Sequence, residues 1–299
     1  MKRLRNISLA LALCLGLLLM GTGCKQGGGG PDDGLLGEYN AAVEYLNQAG
    51  SMVEQNAARY AEYFGLEDEL ALSAEGSYLP NLSFTAENFA TLDLSLEAYE
   101  KAAKDESLKA ALQAQDACVR ALIGKGDEIV AHCAEKAYEG DGGAALGALH
   151  GEFIAALRDY DAAAAATGEK LGVLENALNE QELQYALDNK LYIQHSMLKT
   201  SLAVDDALLA LDSEDAGTAA AALQEAAAAL EQFDGYITDS KQVEKEGYQS
   251  EPLQSLSQEA HRLLERLEGY IAGEEDAESV SRQYESFVGS YNSAIYYAG

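Results

Sequence analysis

Apolar residues in this chain recur every three and four positions. Leu36, Tyr39, Val43, Leu46, Gly50, Val53, Ala57, Tyr60 and Phe64 keep a 3-4 spacing throughout. That spacing lays them along one stripe of a helix about eight turns long. Gly65, Gly76 and Pro80 break the pattern, and residues 65–84 read as an ordered crossing loop. Thr85 is placed to cap a second helix running towards Leu122. Gly124-Lys125-Gly126-Asp127 is either a kink within one helix or a full reversal. Beyond it, Ile129 to Tyr138 is helical again, and Glu139-Gly140-Asp141-Gly142-Gly143 ends that stretch.

A long helical region then runs from Ala144 to Leu211, with Leu146, His150, Phe153, Leu157 and Tyr160 on one face and Gly168 and Gly172 as candidate bends. Asp212-Ser213 starts an Ala-rich helix that fades near Tyr236. Ser250, two residues before Pro252, is a helix start signal. The helix that follows aligns Leu253, Leu256, Ala260, Leu263, Leu267, Tyr270 and Ile271. The last helix aligns Val280, Tyr284, Phe287, Val288, Tyr291 and Ile295. No alternating strand pattern appears. The pattern predicts an all-α fold, an elongated bundle of about six long, mostly antiparallel helices. Residues 35–299 read as one helical domain, and 140–145 is where it would divide if there were two bundles.

Composition agrees, with 52 alanines against three prolines in 299 residues. Alanine favours helix most and proline least. The formal net charge is −30. Such a chain repels phosphate backbones, so nucleic acid is not among the expected partners.

The first 23 residues read as a signal peptide. Lys2, Arg3 and Arg5 form a positive start, and an apolar core runs from Ile7 to Met20, short of the about 20 residues of a comfortable span. Gly21-Thr22-Gly23 and then Cys24 resemble a bacterial lipoprotein signal, by which Cys24 becomes the lipid-bearing N-terminus. Ordinary cleavage after Gly23 is the alternative. Residues 24–34, with four consecutive glycines, read as the anchor cysteine and a flexible tether. The expected location is the cell envelope, with the body in the periplasm or on the outer face.

Candidate chemistry is sparse. Cys118 and Cys133 are the cysteines left in the body, centred on the Gly-Lys-Gly-Asp segment. A hairpin there would let them bond. A straight helix would separate them by about 22 Å, which forbids it. His132 and Glu135 stand three apart on one helical face and offer half of a metal site, so no metal and no cofactor is expected. His150 and His195 lie on apolar stripes and read as hydrogen-bonded packing residues. Gly-x-Ser-x-Gly, phosphate-loop and dinucleotide patterns are missing from the sequence, and so is a catalytic constellation. The 17 tyrosines read as the outer layer of a bundle core.

The two ends of the chain echo each other in Tyr39-Asn40-Ala41-Ala42-Val43 and Tyr291-Asn292-Ser293-Ala294-Ile295. Between them lies Glu135-Lys136-Ala137-Tyr138-Glu139-Gly140-Asp141, with Leu149-His150 following. This combination resembles the YiiG-like bacterial lipoproteins, a family of helical domains of unknown function. The resemblance implies an exported, lipid-anchored helical protein with no assigned activity. It also implies a central helix running through Gly124, which counts against the disulfide. Read from the residues alone, Tyr39 and Tyr291 fall on their apolar stripes, which predicts packing of the first helix on the last with Asn40 and Asn292 flanking the seam.

The expected function is that of a non-enzymatic interaction or envelope module, held to the membrane through Cys24 and meeting an envelope protein. The alternative is a bundle that carries a small ligand or metal between its helices, with His132, Glu135 or His150 pointing into the cavity.

Overall fold

The stripe at the start of the chain is a helix in the computed structural model, which describes residues 33–70, 86–135, 140, 143–213 and 215–297. Helix α1 spans Asp33–Phe64. It buries Tyr39, Val43, Val53, Tyr60 and Phe64 from the predicted stripe, together with Tyr45 and Met52 on its flank. The other helices are α2 (Ala86–Ala102), α3 (Glu106–Ala134), α4 (Ala144–Asp188), α5 (Tyr192–Asp212), α6 (Ala216–Ile237), α7 (Ser240–Glu246), α8 (Ser250–Ile271) and α9 (Ala277–Tyr296). The fold is all-α, with nine helices and no strand among the described residues.

The described helices gather into two compact units, Asp33–Asn176 and Ala177–Gly299, called the N-terminal and C-terminal units below. The boundary falls inside α4, beyond the expected division at 140–145. In the N-terminal unit α1 packs against α2 and α3. Its core includes Leu92 and Tyr99 of α2, Leu108, Leu112 and Leu122 of α3, and Phe153 of α4. In the C-terminal unit α5 packs on α6, α6 on α8 and α8 on α9, with the short α7 against α5 and α6. All six residues of the predicted α9 stripe are buried there, beside Leu256, Leu263 and Leu267 of α8 and Phe233 of α6.

Several boundaries differ from the sequence reading, each for a local reason. The expected helix from Thr85 to Leu122 is two helices. Asp105 caps α3, accepting from Ser107 N at 2.7 Å and Leu108 N at 3.1 Å. Thr85 itself lies outside the described residues. The region from Ala144 to Leu211 is also two helices, divided at Lys190, whose φ of 56° ends α4. Gly168 and Gly172 do not interrupt α4. The N-cap of α6 is Asp215, whose carboxylate accepts from Thr218 N at 3.0 Å. Ser250 is the first residue of α8 and Gln249 is its cap. At Gly124 the chain does not reverse, because α3 runs through it.

Candidate functional site

Of the sites read from the sequence, Cys24 lies outside the described residues, as do Lys136 to Glu139 and Asp141. The cysteine pair is corrected by the structure. Cys118 and Cys133 stand on one continuous helix and are both free. Fifteen residues at 1.5 Å rise keep them about 22 Å apart, far beyond disulfide reach. Burial raises both thiols above their ordinary value, with Asp159 adding to the effect at Cys118.

Among the described residues the half metal site gains no partners. Glu135 is exposed and His132 half-buried, with the His132 Nε2 atom buried and unbonded. Among the described residues, no three of His, Cys, Asp and Glu are grouped to hold a metal ion. The two Tyr-Asn pairs belong to different units: Tyr39 is fully buried in the N-terminal one, and Tyr291 is in the core of the C-terminal one.

His150 is a packing residue with both ring nitrogens in use. Tyr60 Oη lies 2.7 Å from Nδ1, and Nε2 lies 2.8 Å from the Glu67 carbonyl oxygen. A carbonyl only accepts, so Nε2 carries the proton and Nδ1 accepts from Tyr60 in the neutral ring. The Tyr60 ring stacks on Phe153 with centroids 4.0 Å apart. A second link in the N-terminal unit runs from Tyr45, whose hydroxyl donates to Asp116 Oδ1 at 3.2 Å. Arg120 Nε donates to Asp116 Oδ2 at 2.7 Å, and the guanidinium also pairs with Asp93. A third uses Glu38, fully buried, which accepts from Asp105 N at 2.9 Å and so ties α1 to the start of α3.

One grouping in the C-terminal unit has the residue types of a nucleophilic triad. Ser257 Oγ donates to Asp234 Oδ1 at 2.6 Å, and His261 Nε2 lies 2.7 Å from Asp234 Oδ2. Here the carboxylate sits between the serine and the histidine. In a triad the histidine must take the hydroxyl proton, with the acid behind it. The arrangement therefore joins α6 to α8 and does not activate Ser257.

A cluster of buried polar groups also lies in the C-terminal unit. Glu182 near the end of α4 is 2% exposed, and Asp205 of α5 is 5% exposed. Gln194 Nε2 donates to Glu182 Oε1 at 3.0 Å, and Tyr284 Oη donates to Asp205 Oδ1 at 3.0 Å. Tyr291 lies among Glu182, Tyr248 and Asp205; burial first, then these neighbours, push its phenol far above its ordinary value. Burial also holds the Glu182 carboxyl up, with the Gln194 bond offsetting part of it. This cluster connects outward through Gln194. Glu246 of α7 accepts from Ile193 N at 2.9 Å and Gln194 N at 3.0 Å, capping α5, which has no side-chain cap of its own. Gln242 Nε2 and Lys245 Nζ donate to the Lys190 carbonyl at 3.1 and 2.6 Å.

The sequence signal for this cluster is a carboxylate on an apolar stripe. Leu171, Leu174 and Leu178 lead to Glu182, then to Ala186, and all are buried. Compared with family models, curated proteins and solved structures, the chain gave no match.

Proposed function

We propose that this chain is an exported helical module, tethered to a membrane by lipid on Cys24, that works without catalysis through contacts with an envelope protein. The observation that carries the reading is the order of segments ahead of α1. A basic start, a 14-residue apolar core from Ile7 to Met20, small residues, Cys24 and a glycine-rich spacer lead directly to the body that begins at Asp33. No helix among the described residues is long and apolar enough to cross a membrane. Membrane attachment would therefore depend on the N-terminal segment. The likeness to YiiG-like lipoproteins supports the same reading. The surface available to a partner is strongly acidic, which favours a partner presenting basic groups.

The test is metabolic labelling with an alkyne-bearing fatty acid, followed by membrane fractionation. The wild type should carry the label and sediment with membranes, and Cys24→Ser should lose both properties. A mature chain that begins at Cys24 without lipid would overturn the anchor. Native mass spectrometry of the same preparation tests the ligand-carrier alternative, since a bound small molecule would leave as excess mass on unfolding.

A further inference from the structure

Glu182 occupies a position in α4 where the stripe calls for an apolar side chain. Leu178 and Ala186, four residues to either side, are buried on the same face. Water is excluded, and the one hydrogen bond Glu182 makes among the described residues is from the Gln194 amide to Oε1. Its other oxygen, Oε2, is buried without a partner. Tyr291 of α9 lies near Glu182, and around that phenol stand Asp205 from α5 and Tyr248 from the α7–α8 connection, with Tyr284 of α9 bonded to Asp205. Each of these is an acid or a phenol, so their own ionisation would oppose a second negative charge. A neutral carboxyl suits this position and an ionised one does not.

Gln194 joins the buried acid to the outside of the unit. Its side chain holds Glu182, and its backbone N–H is held by Glu246 of α7. The same short helix grips the α4–α5 turn at the Lys190 carbonyl. A change at Glu182 therefore reaches the turn and its clamp through one residue.

We propose that Glu182 is a proton-operated lock on the C-terminal unit. Neutral, it closes the contact of the α4 end with α5 and α9. Ionised, it draws water to the buried Oε2, which parts the α4 end from α5 and α9 and loosens the α4–α5 turn together with the α7 clamp. Burial holds the carboxyl above its ordinary 4.5 in the closed form. An opened form titrates at the ordinary value. The closed form is therefore fully favoured below pH 4.5, and its advantage is lost as the pH rises through the higher closed-state value. The proposal concerns the body alone and does not depend on the lipid anchor.

The test uses the full chain as processed by its exporting host. Hydrogen exchange of residues 186–198 is followed from about pH 5 to about pH 8 and corrected for the intrinsic rate. The wild type should open severalfold more readily at the upper end than at the lower. Glu182→Gln is neutral at every pH and keeps an acceptor for Gln194, so it should remove this dependence. The same pH dependence in both proteins would overturn the lock. A second measurement needs no variant: the ¹³C shift of the Glu182 carboxyl, titrated in the wild type, should show a midpoint above 4.5. A midpoint at or below that value overturns the proposal on its own.

Discussion

Tyr60 and His150, on α1 and α4 of the N-terminal unit, meet through a 2.7 Å hydrogen bond in which the phenol donates to Nδ1. The proton on Nε2 then binds the Glu67 carbonyl, just past the end of α1. Both side chains are fully buried, so neither can exchange its partner for water. Tyr60→Phe keeps the ring stack on Phe153 but leaves Nδ1 buried without a donor. It should cost about 1–3 kcal/mol, read as a lower urea midpoint at unchanged slope. His150→Ala should cost more, since it adds a cavity and frees the Glu67 carbonyl.

Glycine substitutions test the continuity of α3 and α4. A Cβ at Gly124, Gly168 or Gly172 meets nothing within 4 Å. All three lie inside helices, where alanine is favoured over glycine by up to about 1 kcal/mol. Each Gly→Ala change should raise the thermal midpoint. Gly247→Ala should lower it, because that residue ends α7 with φ 76°, a conformation that costs an L-residue about 1–2 kcal/mol. If residues 124–127 formed a hairpin, Gly124→Ala would be destabilising.

Glu246→Ala removes the carboxylate that accepts from Ile193 N–H and Gln194 N–H, the second and third residues of α5. The expected loss is about 1–2 kcal/mol, the usual scale for a lost cap. Glu246→Gln should lose less, because one acceptor oxygen remains. Faster exchange of the Ile193 and Gln194 amides would separate this effect from a general loosening.

The cysteines should behave as two free thiols of unequal reach. Cys118 is half-buried and Cys133 is 9% exposed. Intact mass should show both thiol hydrogens present. An alkylating reagent should modify Cys118 first and Cys133 only as the unit opens. Because burial raises both thiols, modification should remain slow at neutral pH and accelerate as the pH rises.

Asp105 should contribute on the acid side. Bonds from the Ser107 side chain, then from the Leu108 and Ser107 N–H groups, hold its carboxyl below the ordinary 3.8. Its contribution is present above pH 3.8 and is lost as the pH falls through the lower folded value. Asp105→Ala should cost about 1 kcal/mol near neutral pH, and its acid-unfolding curve should be shallower than that of the wild type.

Most of the fold was legible in the apolar stripes of the sequence. Those of α1, α8 and α9 are two-faced; the predicted α9 residues are all buried, while Leu36, Leu46, Gly50 and Ala57 of α1 and Tyr270 and Ile271 of α8 are half-buried. Other features depend on partners distant in sequence. The gap between α2 and α3 is held by Glu38, 67 residues away from the Asp105 N–H it binds. The turn at Lys190 carries no Gly or Pro within it, and its carbonyl is held by residues more than 50 positions downstream. Helix α7 has one buried apolar side chain, Val243, which is too little for a stripe. Glu182 is one of 50 acidic residues, and only its place among leucines distinguishes it from acids on the solvated surface. The repeated Tyr-Asn did locate core tyrosines, one in each unit.

The burial of the tyrosines gives the molecule an optical handle. The chain has 17 tyrosines and no tryptophan, so its near-ultraviolet absorption and emission come mainly from phenols. Tyr45, Tyr60, Tyr99 and Tyr291 all hold their protons well above the ordinary 10.0, chiefly because they are buried. In strong base, the phenolate absorbance of exposed rings will rise first. The later rise will report the loss of a folded unit, so an alkaline spectrum alone can count how many phenols the intact body shields.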